Sequence, residues 1–150
     1  LLNSGKVVLR PGVEDFFHYG RERGWEFSII SNGLRFYIQV ILEDLGFGDI
    51  EVIAAETEFR PDGLRLTYLD TNGTSVMSGF KAERAEQQRL RGYDRVFYLG
   101  DGMADLPPAR HADHVFATSV LLQKCREENL PHTEFKDLFD VIAYFKSGKE

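Results

Sequence analysis

What most constrains this 150-residue chain is an alternation: short apolar runs with strand character, polar turns, then stretches of helical periodicity, repeated along most of its length. Trp25 to Ile30 (WEFSII) reads as a largely buried strand and Ser31-Asn32-Gly33 as a turn. From Leu34 to Leu45, the positions of Phe36, Ile38, Val40, Ile41, Leu42 and Leu45 predict an amphipathic helix stopped by Gly46. Arg95 to Leu99 (RVFYL) is the run most like a buried strand, and it leads straight into Gly100-Asp101-Gly102-Met103-Ala104-Asp105. Strands and helices joined through short loops imply right-handed βαβ units and a mainly parallel sheet covered on both faces, an α/β fold. Ligands of such sheets bind beyond the carboxyl ends of the strands, which selects Ser31 to Gly33 and Gly100 to Asp105 for attention.

The remaining segments fit the same plan. Lys6 to Leu9 predicts a short strand, Arg10-Pro11-Gly12 a turn, and Val13, Phe16, Phe17 and Tyr19 the apolar face of a helix. Glu14 and Asp15 fall in its first turn, where they suit the dipole. Ile50 to Ala55 predicts another strand, and Arg60-Pro61-Asp62-Gly63 joins Glu56–Phe59 to Leu64–Tyr68 as a small hairpin. Asp70 to Gly79 reads as loop and Phe80 to Arg91 as a helix on the outside of the sheet. A short helix with Pro107 and Pro108 near its start, a strand at His114–Ala117, and helices at Val120–Glu128 and Asp137–Lys146 complete the reading. In the last helix Leu138, Phe139, Ile142 and Phe145 are expected on one face. With twelve Phe and no linker or repeat, residues 1–150 are expected to form a single domain.

Charge narrows the function classes. A formal charge of -6 leaves no broad basic surface for nucleic acid or anionic membrane, whereas a few local donors still suffice for a small phosphorylated metabolite. Cys125 is the only cysteine, and no apolar stretch of about 20 residues is present, so a cytoplasmic protein is expected. The first residue is Leu1 rather than Met, followed closely by a strand-like run, and the natural protein is expected to begin upstream.

Three groups of residues could carry chemistry. Asp101 and Asp105 place two carboxylates four positions apart just past a strand, and hard oxygen ligands at such a place suit magnesium; an Asp-Gly turn with a helix-capping aspartate would give the same string. Ser31-Asn32-Gly33 offers a hydroxyl and backbone N–H groups at a helix start, where an anion is favoured, although Ser31 as a plain N-cap is the more ordinary reading of that site alone. Lys81 stands at the beginning of a helix, against the dipole, and so calls for some reason other than helix stability. His111, His114 and His132 lack ligand spacing and read as surface or capping residues. Cys125 lies in the apolar face of a helix and reads as packing.

In this order, a hydroxyl turn, a lysine and a paired-aspartate turn resemble the haloacid dehalogenase superfamily of phosphatases. Ser31 matches its second motif, Lys81 its third, and Gly100 to Asp105 its fourth. Val8 to Gly12 and the Glu56–Tyr68 hairpin resemble the phosphoserine-phosphatase-like branch, and the tail from Asp113 to Val141 looks most like phosphatases of methylthio-phosphopentane substrates in methionine salvage. The resemblance implies a Rossmann-like three-layer core and phosphomonoester hydrolysis with Mg2+ through an aspartyl-phosphate. It assigns phosphoryl contacts to Ser31, Asn32, Gly33, Lys81 and Gly102, and the metal to Asp101 and Asp105, the latter acting directly or through a water. Ala104 departs from the asparagine common in this loop, which weakens the case for phosphoserine.

A larger departure is the nucleophile. The aspartate-x-aspartate-glycine-threonine string that opens the family's fold is absent, and Leu69 to Thr74 is no substitute, lacking the second aspartate and a preceding central strand. The family's first strand and cap are therefore expected to be missing. Three explanations are open: an omitted N-terminal segment, a fragment that pairs with another chain, or two neighbouring strands closed together into an inactive core; the alternative function is a catalytically inactive binding or assembly module, such as a strand-swapped homodimer. A receiver domain has a similar sheet, but its acidic pair belongs at the first strand.

Overall fold

The structure, a computed structural model, describes residues 7–148. In chain order the elements are α1 (Val13–Arg21), β1 (Ser28–Leu34), α2 (Arg35–Asp44), β2 (Glu51–Arg60), β3 (Gly63–Leu69), β4 (Ser75–Val76), α3 (Phe80–Leu90), β5 (Phe97–Gly100), a 3-10 turn (Met103–Asp105), α4 (Leu106–Ala109), β6 (His114–Ala117), α5 (Ser119–Glu128), β7 (His132–Glu134) and α6 (Leu138–Lys146). They fall into two compact units, one running through Tyr68 and resuming at Asp137, the other from Leu69 to Lys136. Helices alternate with strands in both, and the parallel ladders expected of an α/β fold are present. Among the described residues, no helix is long and apolar enough to cross a membrane.

In the first unit, α1 buries Phe16, Phe17 and Tyr19, as its apolar spacing requires. Gly12 precedes it at φ 82, a backbone conformation that glycine adopts without cost. Leu138 N–H donates to the Pro11 carbonyl at 2.9 Å, which ties the start of α6 to the turn before α1. The core here is aromatic. Phe17 stands 5.1 Å from Phe27 and from Phe47, and Trp25 stands 4.4 Å from Phe145, measured between ring centroids. Such rings together bury several hundred Å² and favour tilted or edge contacts.

Several element boundaries differ from expectation. Lys6 lies outside the described residues, and Val7 to Leu9 form no strand. The strand expected at Trp25–Ile30 begins instead at Ser28, because Trp25 and Phe27 turn their rings into the aromatic cluster. It also continues through Ser31-Asn32-Gly33 to Leu34. Against β2 the register runs Ser28↔Glu51 to Ile30↔Ile53, then Leu34↔Ala55, so the three polar residues bulge out of the parallel ladder. The two runs expected at Ile50–Ala55 and Glu56–Phe59 are one strand, β2, parallel to β1 along its first half and antiparallel to β3 along its second. The hairpin turn is where Arg60↔Gly63 closes that ladder. In α6 the buried side chains are Leu138, Val141, Ile142 and Phe145, while Phe139 is 50% exposed. Positions 138, 141, 142 and 145 follow the 3.6 period more closely than a face including 139 does.

In the second unit β5, β6 and β7 form a parallel sheet in that order. Its registers are Phe97↔His114 to Gly100↔Ala117 and Val115↔His132 to Ala117↔Glu134. The strand β7 was not foreseen, because His-Thr-Glu carries no apolar run. The expected burial of Arg95–Leu99 is also corrected: β5 starts at Phe97 and is half-buried throughout, as suits a strand on the margin of its sheet. The core of this unit gathers Leu106, Ala109, Val115, Ala117, Leu121, Leu122 and Cys125, with Tyr98 and Leu130 packed against it. Cys125 is fully buried there, where burial also pushes its thiol up.

Candidate active site

The carboxyl end of β5 is where the second unit buries a charged side chain. Gly100 and Ala117 close the β5–β6 ladder side by side, so the loop after β5 and the start of α5 emerge at one end of the sheet. Two backbone bonds join them: Thr118 N–H donates to the Gly100 carbonyl at 3.2 Å, and Leu121 N–H to the Asp101 carbonyl at 3.1 Å. Between these, Ser119 sits at φ 51, an uncommon conformation for a residue with a side chain.

Asp105 is the hub of this end. It is 9% exposed, the one buried charged residue among those described. Its Oδ1 accepts from the Lys81 ammonium at 2.7 Å and from the Tyr98 hydroxyl at 3.0 Å. Its Oδ2 accepts from the N–H groups of Asp101 at 3.1 Å and Gly102 at 3.0 Å. An ionised carboxylate has about four acceptor sites, so this one is saturated. Burial alone would push its carboxyl up, but the bonds from Lys81, Gly102 and Asp101 outweigh that and hold it below the usual carboxylate range. Tyr98 is driven the other way, first by burial and then by the neighbouring Asp105 and Asp101 charges, so its hydroxyl keeps its proton.

Lys81 sits in the first turn of α3, two residues past the N-cap Gly79 at φ 86. Its awkward place against the helix dipole has its explanation in Asp105, since the two side chains are only 13% and 12% exposed. Gly100 permits the close approach: a Cβ there would lie 2.9 Å from both the Asp105 Cβ and the Leu121 Cδ2. Gly102, by contrast, is extended at φ -108, and a Cβ on it would meet the nearest Asp105 oxygen at an ordinary 3.6 Å. Asp101 stands exposed at the strand end, beside this anchored loop. Of the two carboxylates of this loop, Asp101 is the exposed one, and magnesium takes one or two protein carboxylates while keeping several waters. Among the described residues no cluster of three or more His, Cys, Asp or Glu side chains has metal-binding geometry. His114 instead bonds Thr133 at 2.9 Å, and His132 the Leu130 carbonyl at 2.7 Å.

Lys81, Asp101, Gly102 and Asp105 are thus brought together within one unit, and Tyr98 joins them unforeseen. The signal for Tyr98 was faint but present. On a strand of period two it shares a face with Gly100, and a phenol packed on a core must find a partner for its hydroxyl. Ser31, Asn32 and Gly33 belong to the first unit. Ser31 does not cap α2, whose N-cap is Leu34 without a side-chain bond. Its Oγ accepts from Gly33 N–H at 3.0 Å, which keeps the hydroxyl proton available for donation. The Asn32 carbonyl accepts from the Tyr68 hydroxyl at 2.7 Å, fixing the bulge from the hairpin side. In the string set aside as a nucleophile, Asp70 Oδ1 accepts from Asn72 N–H at 2.9 Å and Thr74 N–H at 2.7 Å, holding its own turn.

Comparison with known proteins agrees with this loop chemistry. The family of haloacid dehalogenase-like hydrolases matches residues 3–110. The chain belongs to that family. A 2-hydroxy-3-keto-5-methylthiopentenyl-1-phosphate phosphatase of Brevibacillus brevis is 30% identical over 149 residues, covering 97% of this chain and 66% of the relative. One from Geobacillus kaustophilus is 33% identical over 138 residues, covering 89% of this chain and 61% of the relative. A polyol phosphate phosphatase of Saccharomyces cerevisiae is 28% identical, with 94% and 64% covered. The names of the two bacterial relatives match the methylthio-phosphopentane likeness read from the tail. The chain therefore spans somewhat under two thirds of the length of these haloacid dehalogenase-like relatives.

Proposed function

We propose that this chain is the metal- and phosphate-handling part of a magnesium-dependent phosphatase acting on a small phosphorylated metabolite, with a methylthio-phosphopentane ester as the leading candidate. What carries the reading is the saturated Asp105 hub, which fixes Lys81 and the Asp101 loop together at a strand end. In this reading Asp101 would hold the ion, Asp105, whose acceptor sites are taken by Lys81, Tyr98 and the two loop amides, would fix the Asp101 loop beside it, and the ion would supply charge neutralisation and orientation. Lys81 spends one ammonium hydrogen on Asp105 and offers the others to a phosphoryl oxygen, while Gly102, its N–H bonded to Asp105, shapes the loop beside it. The family resemblance assigns a phosphoryl contact in the first unit to the Ser31 hydroxyl and the backbone at Asn32, the Gly33 N–H being taken by Ser31 Oγ. The family's aspartate-x-aspartate motif is not found in these 150 residues, and in this reading the nucleophile for the aspartyl-phosphate comes from a segment not included in them. Cytoplasmic location is proposed on the same footing, as the place of such metabolites.

Two measurements test this. Nuclear magnetic resonance titration with Mg2+ and then inorganic phosphate is expected to shift the backbone signals of Asp101 and Gly102 first and those around Lys81 second, and to lose the first effect in Asp101→Asn. Hydrolysis of p-nitrophenyl phosphate is expected once a polypeptide carrying the aspartate-x-aspartate strand is supplied, and to require magnesium. Neither ligand perturbing these residues would overturn the reading. The competing view, an inactive module that assembles as a strand-swapped dimer, predicts a dimer in solution with no response to magnesium.

A further inference from the structure

We infer that Tyr98 is a positioning residue: its hydroxyl sets the orientation of the Asp105 carboxylate, and through it both Lys81 and the backbone of the Asp101 loop. Packing alone does not require the hydroxyl. The Tyr98 ring lies against the core formed by Leu106, Val115, Leu121 and their neighbours, and a phenylalanine would fill that place equally well. The hydroxyl instead reaches Asp105 Oδ1 at 3.0 Å, the same oxygen that takes the Lys81 ammonium at 2.7 Å. With two acceptor sites on that oxygen, Tyr98 occupies one and confines Lys81 to the other. The carboxylate is then unable to rotate without breaking bonds at both ends, since Oδ2 is held by the amides of Asp101 and Gly102 at 3.1 and 3.0 Å. Remove the hydroxyl and one oxygen is held by a single flexible side chain, so the plane of the carboxylate loosens and the two amides loosen with it.

The bearing of this on phosphoryl transfer rests on the function proposed above, but the positioning itself does not. Amide hydrogen exchange on the intact chain separates the two. In Tyr98→Phe, exchange at the Asp101 and Gly102 amides is expected to quicken by about fivefold to tenfold, the factor that goes with one lost hydrogen bond. Exchange at Val115 and Phe116 in the neighbouring strand is expected to stay near the wild-type rate. A merely structural role would quicken all four together as the unit loses stability, and that outcome overturns the inference, as does no change at Asp101 and Gly102. Lys81→Met, which removes the other donor to the same oxygen, provides the second variant: adding Tyr98→Phe to it should give a non-additive effect at the two amides, and strict additivity overturns the inference. A parallel Mg2+ titration of the wild-type chain distinguishes failure of the functional reading. A wild-type chain blind to magnesium ends that reading, while the exchange comparison still decides whether Tyr98 positions Asp105.

Discussion

Asp105 shows how a single buried charge is made tolerable. An unpaired carboxylate at 9% exposure would cost far more than the fold can spare, and it persists because every acceptor site meets a donor. Lys81→Met leaves the charge with neutral donors only, and urea denaturation is expected to show a loss of about 3 kcal/mol, the usual cost of breaking a buried pair from one side. Gly100→Ala should be costly for a different reason. Its Cβ would sit 2.9 Å from two neighbours, one of them the Cβ of Asp105 itself, so the site must open to admit it. Overpacking of that kind typically costs about 1–3 kcal/mol, and here the Asp101 and Gly102 amides should lose exchange protection as well. At this scale the sequence was informative about Lys81, Asp101 and Asp105. It was nearly silent about Tyr98, because a tyrosine in an apolar run looks the same whether its hydroxyl meets water or a carboxylate.

Elements were legible where periodicity was strong and boundaries failed where side chains answered to tertiary neighbours. Helices α2, α3, α5 and α6 lie within a residue of expectation at each end, and β6 matches it. The strand β1 does not, since Trp25 and Phe27 are drawn into the aromatic cluster and the polar Ser31-Asn32-Gly33 is carried as a bulge by pairing with β2. The start of α6 gives a test of local control. Asp137 caps it, its carboxylate accepting from Phe139 N–H at 2.9 Å and Asp140 N–H at 3.3 Å. Asp137→Ala should lower stability by about 1 kcal/mol, read as a shift in denaturation midpoint at unchanged slope. Asp137→Asn should recover most of it, because an amide oxygen also accepts.

For the whole molecule the expected acid response follows from two carboxylates in the second unit. Asp105 is held low against the pull of burial, and Asp113 is lowered by the hydrogen bond from Arg89, then by the Val96 amide. Between each folded value and the ordinary one the unfolded chain binds more protons, so stability rises with pH across that window. Thermal melting is therefore expected to be flat above about pH 5 and to fall as the pH drops through the carboxylate range. Replacement of Asp113 by Asn should shrink that dependence and lower the plateau. His114 adds a smaller effect of the same sign near neutrality. Burial first, and then Arg95 and His132, lower its pKa, so the unfolded chain takes up the proton earlier as pH falls. His114→Gln should remove the step just below pH 6.5.

What the sequence determined by itself was the alternating α/β plan, the two turns to watch and the family, because hydrophobic period and loop motifs are local properties that a linear string records. Which residues share bonds was decided only in three dimensions. Tyr98, Lys81 and Asp105 come from a strand, a helix and a turn separated by up to 24 positions. Their meeting depends on the β5–β6 register and on the absence of a side chain at Gly100, since the saturation of a buried carboxylate is settled by packing rather than by order along the chain.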